Sequence, residues 1–354
     1  MKRPRNRSPR SSGSYRGWAR IAAAAGAVLI SAFLYQSGQM YLEKKASWEQ
    51  TAQWRANHPS DKGLAARDRL EYEGKTYRRN TYVKAILCMG IDRQGSLEET
   101  CVAGSGGQAD GIFLVAQDTA RDQVRVLVIP RDTMTDITLT DLSGNVLGQG
   151  VQHLTLAYAY GDGREKSCEY MAEAVSGLLG GLPVDGYMAV SMSALPVIND
   201  GVGGVAVTIE DAGLERANSS FLSGETITLK GEQAEDYIRY RDTEAAQSAL
   251  TRTERQKTYI KGFFHAAKDR AKEDDGFVSR LMKEIEPYMV TDMSKDRYMD
   301  MALAFLGGTQ ELGEADMVTL PGTAVETPIY DEYQPDKDKI MPIVLDLFYR
   351  PDNT

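Results

Sequence analysis

The chemistry of this chain gathers at charged residues that end short apolar runs. Asp92 and Arg93 follow AILCM and Gly90, Asp110 opens GIFLV after a glycine-rich stretch, and Arg131-Asp132 follow RVLVI through Pro130. Charged groups where strands meet loops are the usual site geometry of an α/β sheet. A fourth group lies farther on, with Arg239 and Arg241 in YIRYRD and Arg252, Arg255 and Gln256 in RTERQ. Read as an extended segment, residues 237–242 put both arginines on one side. Arg252 and Gln256 are four apart and share a helix face. Guanidinium forks grip phosphate oxygens two at a time, so arginines gathered in an acidic domain point to a phosphate-bearing ligand. Asp92 and Asp110 suit a hard divalent cation, which needs only one or two protein carboxylates when phosphates supply other ligands.

Those residues need a sheet to hold them. Residues 85–89, 111–117 and 123–129 read as strands, as do 187–190, 205–209 and 317–320. Residues 71–77 and 136–149 read as hairpins around Gly74 and Ser143-Gly144-Asn145. Helical spacing marks 166–179, stopped by Gly180-Gly181, and also 231–238, 251–271, 277–288, 295–306 and 338–349, with a short helix near 193–199. Strands alternating with helices favour a layered α/β domain with helices on both faces of a sheet.

Charge is spread unevenly. Residues 1–41 hold seven basic residues and no acid, which leaves −16 for the remainder of a chain whose total is −9. An acidic body lacks the basic face that nucleic acid requires, so no nucleic-acid partner is expected. Cys88, Cys101 and Cys168 form no CxxC pair, and with three histidines there is no zinc-type spacing. A Cys101–Cys168 pairing is left open. Residues 21–41 carry no charge and as a helix would span ~31 Å, about the hydrocarbon thickness. Basic residues before this stretch place residues 1–20 inside and everything after about residue 42 outside. The expectation is a single-pass cell-membrane protein: basic tail 1–20, signal-anchor 21–41, extracellular spacer and hairpin 42–80, main domain 81–272, and C-terminal helices 273–354 that complete the domain or are appended to it.

Five segments in order, GIDR at 90–93, QADGIFLV at 108–115, VIPRDT at 128–133, HLTLAYAYG at 153–161 and RYRD…RTERQ at 239–256, resemble the LytR-CpsA-Psr family. The resemblance implies a three-layer α/β/α sandwich with a mixed central sheet, behind one transmembrane helix. It implies an Mg²⁺-dependent phosphotransferase that moves a glycopolymer phosphate from a polyprenyl-pyrophosphate carrier to a peptidoglycan hydroxyl, with the lipid in an apolar pocket. On that pattern Asp92 and Asp110 hold Mg²⁺, Arg131 is catalytic with them, and Arg131, Arg239, Arg241, Arg252 and Gln256 grip the pyrophosphate. Arg93, Asp132, His153 and Arg255 are further candidates. The membrane, the lipid-linked glycan and peptidoglycan are the implied partners.

Three positions depart from the family pattern. His153 stands where a lysine is usual, Gln108-Ala109-Asp110 replaces Arg-Ser-Asp, and Ala249 occupies the place of an aspartate three residues before Arg252. These departures keep two alternatives open. One is a catalytically weak polyprenyl-phosphate- or glycan-binding regulatory protein on the same fold; the other is a polyprenyl pyrophosphatase.

Overall fold

The computed structural model describes residues 69–242, 248–307, 310–327 and 330–352. The expected anchor at 21–41 lies outside the described residues, within which no helix is long and apolar enough to cross a membrane. The first described residues form a hairpin, β1 (Arg69–Tyr72) and β2 (Lys75–Arg79). Its two-residue turn, Glu73-Gly74, has φ 48° and 71°, the paired positive values that match the twist of the flanking strands.

The central sheet contains β3 (Val83–Ile91), β4 (Ala109–Asp118), β5 (Gln123–Val128), β8 (Gly186–Ser191), β11 (Met289–Thr291) and β12 (Met317–Thr319), in the order β11-β8-β3-β4-β5-β12. β3 runs parallel to β8 and β5 to β12, while β3–β4, β4–β5 and β8–β11 are antiparallel, so the sheet is mixed. A second hairpin, β6 (Met134–Thr140) and β7 (Val146–His153), carries the chain back to the sheet's end. β9 (Val205–Thr208) and β10 (Thr226–Leu229) pair with each other, as do β13 (Gly322–Glu326) and β14 (Asp331–Pro335). β15 (Tyr349–Pro351) returns to β2.

Alternation along the strands divides the core in two. Ala85, Leu87, Met89, Ile112, Leu114 and Leu127 are sealed against helices Glu165–Leu178 and Lys337–Phe348. The other face meets helices Ser248–Glu273 and Lys295–Gly307 through Ile260, Phe264, Tyr298, Met299 and Phe305. Helices therefore cover both faces. The covering differs in quality, because Phe113, Val115, Met188 and Val190 on the second face stay half-buried in the middle of the sheet.

Helix Glu165–Leu178 shows how local chemistry fixes these layers. Asp162 accepts from the amides of Arg164, Lys166 and Ser167 at 2.8, 3.1 and 3.2 Å, satisfying donors that the first turn leaves free. At the other end Gly180 and Gly181, at φ 71° and 84°, return their amides to Gly177 and Ser176 as a Schellman cap.

Two expectations change. Residues 237–242 are not one extended segment: helix Gln233–Arg239 includes Tyr237 and Ile238, and the backbone becomes extended only at Tyr240. Ala234, Tyr237 and Ile238 recur at helical spacing and are buried together, which overrides the period-two reading. Residues 273–354 also give the central sheet one strand more than expected: β12 falls on the strand read at 317–320 and forms one edge, while β11, at the other edge, is not among the expected strands. The three cysteines are free, so Cys101 and Cys168 are unpaired by disulfide.

Candidate active site

The ends of β3 and β4 and the segment after β5 lie together, joined by backbone bonds. Asp92 N–H donates to the Gln108 carbonyl at 2.8 Å, and Ile129 N–H to the Ile112 carbonyl at 2.9 Å. The end of β7 is pinned beside them, with Leu154 and Thr155 amides donating to the carbonyls of Thr133 and Arg131 at 2.8 and 3.0 Å. Thr155 Oγ1 also donates to the Ala109 carbonyl at 2.9 Å. Four distant stretches of sequence thus meet within a few residues of Asp110.

Asp110 is the hub. Only 9% exposed, its carboxylate is paired with Arg131 and lies 3.4 Å from Arg252, while Gln256 Nε2 donates to its backbone carbonyl at 3.4 Å. Burial raises its pKa, Arg131 and Arg252 oppose that rise, and the negative charge of Asp92 adds to it. The two expected metal-ligating carboxylates therefore sense each other. Arg131 spreads its guanidinium over three groups: Asp110, Gln108 Oε1 at 2.7 Å and Asp132 Oδ1 at 3.3 Å.

Arg239, at a helix end, holds Asp92 Oδ1 and Glu235 Oε1 at 2.6 Å each. Burial pulls its pKa down, but Glu235 and Asp92 more than offset this and leave it raised. Arg241 pairs with Asp331 and donates from Nε to Ser248 Oγ at 2.8 Å. Arg252 is pushed down first by burial and then by the like charges of Arg131 and Arg241, with Asp110 and Asp132 opposing. Arg131 and Arg241 therefore each act on Arg252, and Arg239 joins them through the charge of Asp110.

Other candidates divide. Asp132 belongs to the cluster, and His153 Nδ1 stands 3.9 Å from its Oδ1. Arg255 has a structural role: it caps the carbonyls of Tyr237 and Tyr240 and pairs with Asp211 at 2.7 Å, so it holds the backbone that presents Arg239 and Arg241. Arg93 donates to the Glu99 carbonyl at 3.3 and 3.2 Å and stabilises its own loop. Among the acids, Asp242 pairs with Arg216 at 3.0 Å, while Arg241 takes Asp331 from a tail that carries no motif. Glu235 was legible as the i−4 partner of Arg239. Asp331 was not, because nothing local links it to residue 241.

Among the described residues no three His, Cys, Asp or Glu side chains form a metal-binding group. Two neighbouring carboxylates beside arginines still fit Mg²⁺ that arrives with phosphate, since that ion keeps waters and takes one or two carboxylates.

A profile of the LytR_cpsA_psr family matches residues 39–344. The chain belongs to that family. Among its LytR_cpsA_psr relatives, a protein of Oceanobacillus iheyensis named polyisoprenyl-teichoic acid–peptidoglycan teichoic acid transferase TagU is 28% identical over 206 residues, 56% of each chain. The TagU of Halalkalibacterium halodurans is 23% identical over 251 residues, 70% of this chain and 72% of that one. This chain thus spans little more than half the length of the first relative. A solved structure described as TagT bound to LI-WTA aligns over 75% of this chain and 90% of its own, with TM-score 0.56 and 20% identity. That likeness establishes the shared fold.

Proposed function

We propose that this chain transfers a phosphate-linked glycopolymer from a polyprenyl-pyrophosphate carrier to a peptidoglycan hydroxyl outside the cell. The observation that carries the reading is the gathering of Arg131, Arg239, Arg241 and Arg252 over Asp92 and Asp110 at the ends of adjacent strands. The names of the TagU relatives support the same substrate class.

Phosphoryl transfer asks a protein mainly for position and charge, and this site can supply both without a covalent nucleophile. Arg131 and Arg252 turn from Asp110 to the phosphate oxygens, and Arg239 from Asp92. Gln256 and Arg241 hold the flanks. The carboxylates released in this exchange are the groups that would hold Mg²⁺, which when bound neutralises charge on the pyrophosphate. The half-buried second face of the sheet suits the lipid. Gly90 and Gly111 are paired in register there, and lacking side chains they let Met192 and Phe113 lie close over the strands, where a Cβ would come within 3.1 and 3.0 Å of them. A cavity beside Asp132, of about 20 Å³, is the size of a water and too small for an isoprenoid. Residues 21–41 would hold the domain at the membrane where that lipid resides, with residues 1–20 inside.

The test uses the full chain in nanodiscs with Mg²⁺, a polyprenyl-pyrophosphate glycan and peptidoglycan fragments, with products read by mass spectrometry. A glycan phosphate ester on the acceptor supports transfer. Free glycan phosphate alone would make the chain a pyrophosphatase, and retained lipid without product a binding protein.

A further inference from the structure

Three buried polar atoms in the site have no hydrogen-bond partner among the described residues: Arg131 Nε, Asp132 Oδ2 and His153 Nε2. Buried polar groups are nearly always partnered, so such a cluster calls for a cause. Two of the three have one. Arg131 Nε faces Asp132 Oδ1 at 3.3 Å as an ion pair, and Asp132 lines the water-sized cavity with Pro130, Leu250 and Tyr333. His153 is not among the residues lining that cavity, and its Nε2 has neither kind of neighbour.

The imidazole is nonetheless held in place. Its Nδ1 faces Asp132 Oδ1 at 3.9 Å, and Tyr330 meets it edge to face at 4.8 Å between centroids and 86° between planes. An Asp–His pair with one nitrogen turned to the carboxylate and the other unpartnered is the arrangement of a general base. The gap is about an ångström longer than a hydrogen bond, and such contacts commonly tighten only with substrate bound.

We infer that His153, oriented by Asp132, is the proton acceptor for the attacking hydroxyl, an inference that rests on the transferase reading above. The acceptor oxygen forms a bond to the glycan-bearing phosphorus as the bond from that phosphorus to the bridging oxygen breaks. Polyprenyl monophosphate leaves, the hydroxyl proton passes to His153 Nε2, and the Nδ1–H donates to Asp132 while the ring is charged. The proton then returns to solvent. This assigns the base to a position where the family pattern has lysine, in a chain with Ala249 where that pattern has an acid.

Lysine at 153 separates a base from a cation that merely touches phosphate. Full-length wild type, His153→Lys, His153→Gln, His153→Gly and Asp132→Asn are compared for melting temperature, polyprenyl-pyrophosphate binding and transfer kcat. His153→Lys and His153→Gln should bind lipid within about threefold of wild type and lose kcat by about 10²-fold or more. Added imidazole, but not guanidinium, should restore transfer to His153→Gly, a rescue that a structural role would not give. His153→Lys transferring at the wild-type rate would overturn the assignment and leave the transferase reading intact, as would a folded, lipid-binding His153→Gly that imidazole fails to rescue. A wild type that binds lipid but forms no ester removes both.

Discussion

Arg131→Lys keeps the charge and removes the fork. Arg131 addresses three partners with three nitrogens, Asp110, Gln108 at 2.7 Å and Asp132 at 3.3 Å. Lysine has one nitrogen. It can follow Asp110, the carboxylate that Arg252 also faces, and must release Gln108 and Asp132. Contacts with a charged partner contribute roughly 1.5–3 kcal/mol each. The side chain is 20% exposed, so water can take up part of what is released, and a net loss near 2 kcal/mol of stability is expected. Binding should suffer similarly: a phosphate gripped by two nitrogens keeps one, and losing about 1.4 kcal/mol weakens Kd about tenfold. Arg131→Ala should lose more. Arg280, 57% exposed and paired with Asp274 far from the site, is the control. Lipid-pyrophosphate affinity is measured by titration in nanodiscs, and stability by urea unfolding. If Arg131→Lys binds within twofold of wild type, or Arg131→Ala behaves like Arg280→Ala, the reasoning from fork geometry fails.

Chelating divalent cations should weaken wild-type pyrophosphate binding tenfold or more, and should have no further effect on an Asp92→Asn/Asp110→Asn double variant; equal chelator sensitivity in both would remove the metal from these carboxylates. Arg255→Leu should cost about 3 kcal/mol of stability, because Asp211 and two carbonyls lose their buried partner; an unchanged unfolding midpoint would contradict the clamp. Gly90→Val puts a side chain where even a Cβ would lie 3.1 Å from Met192 Sδ, and should cut affinity for long-chain more than short-chain lipid pyrophosphates, whereas equal losses would move the lipid elsewhere. Burial pushes the Cys88 thiol up to about 12 and raises Cys168 as well, so iodoacetamide at pH 8 should leave both protonated and label Cys101 alone in the native protein; mass spectrometry after quenching reads the result.

Legibility followed the range of the interactions involved. Strand cores such as AILCM and helix ends such as Gly180-Gly181 were readable because alternation and capping act over a few residues. The charged residues at strand ends were readable for the same reason, and the structure brings Asp92, Asp110, Arg131, Arg239, Arg241 and Arg252 into one cluster. Residues 237–242 misled because YIRYRD also fits a strand, and only tertiary burial of Tyr237 and Ile238 decides for helix. Strand β11 is three residues long, too short to show a period, and the sheet recruits it from the tail, whereas the equally short β12 was readable at 317–320. Arg255 sits beside the clustered arginines in sequence yet turns to backbone carbonyls, a distinction that spacing does not carry.

The charge balance of the cluster bears on how a substrate enters it. Each of the four arginines is engaged by an acid, and Asp92, Asp110, Asp132, Glu235 and Asp331 outnumber them by one. An anion arriving alone would meet a net negative pocket and would have to strip arginines from carboxylates that then have no partner, a costly outcome for a group as buried as Asp110. The same acids become an advantage when a divalent cation accompanies the pyrophosphate, because the carboxylates exchange one cation for another and the arginines pass to the phosphates. On the proposed reading the ion pairs of this structure are therefore a resting state. They keep four guanidiniums from repelling one another, and they bias the site toward a ligand that brings its own cation.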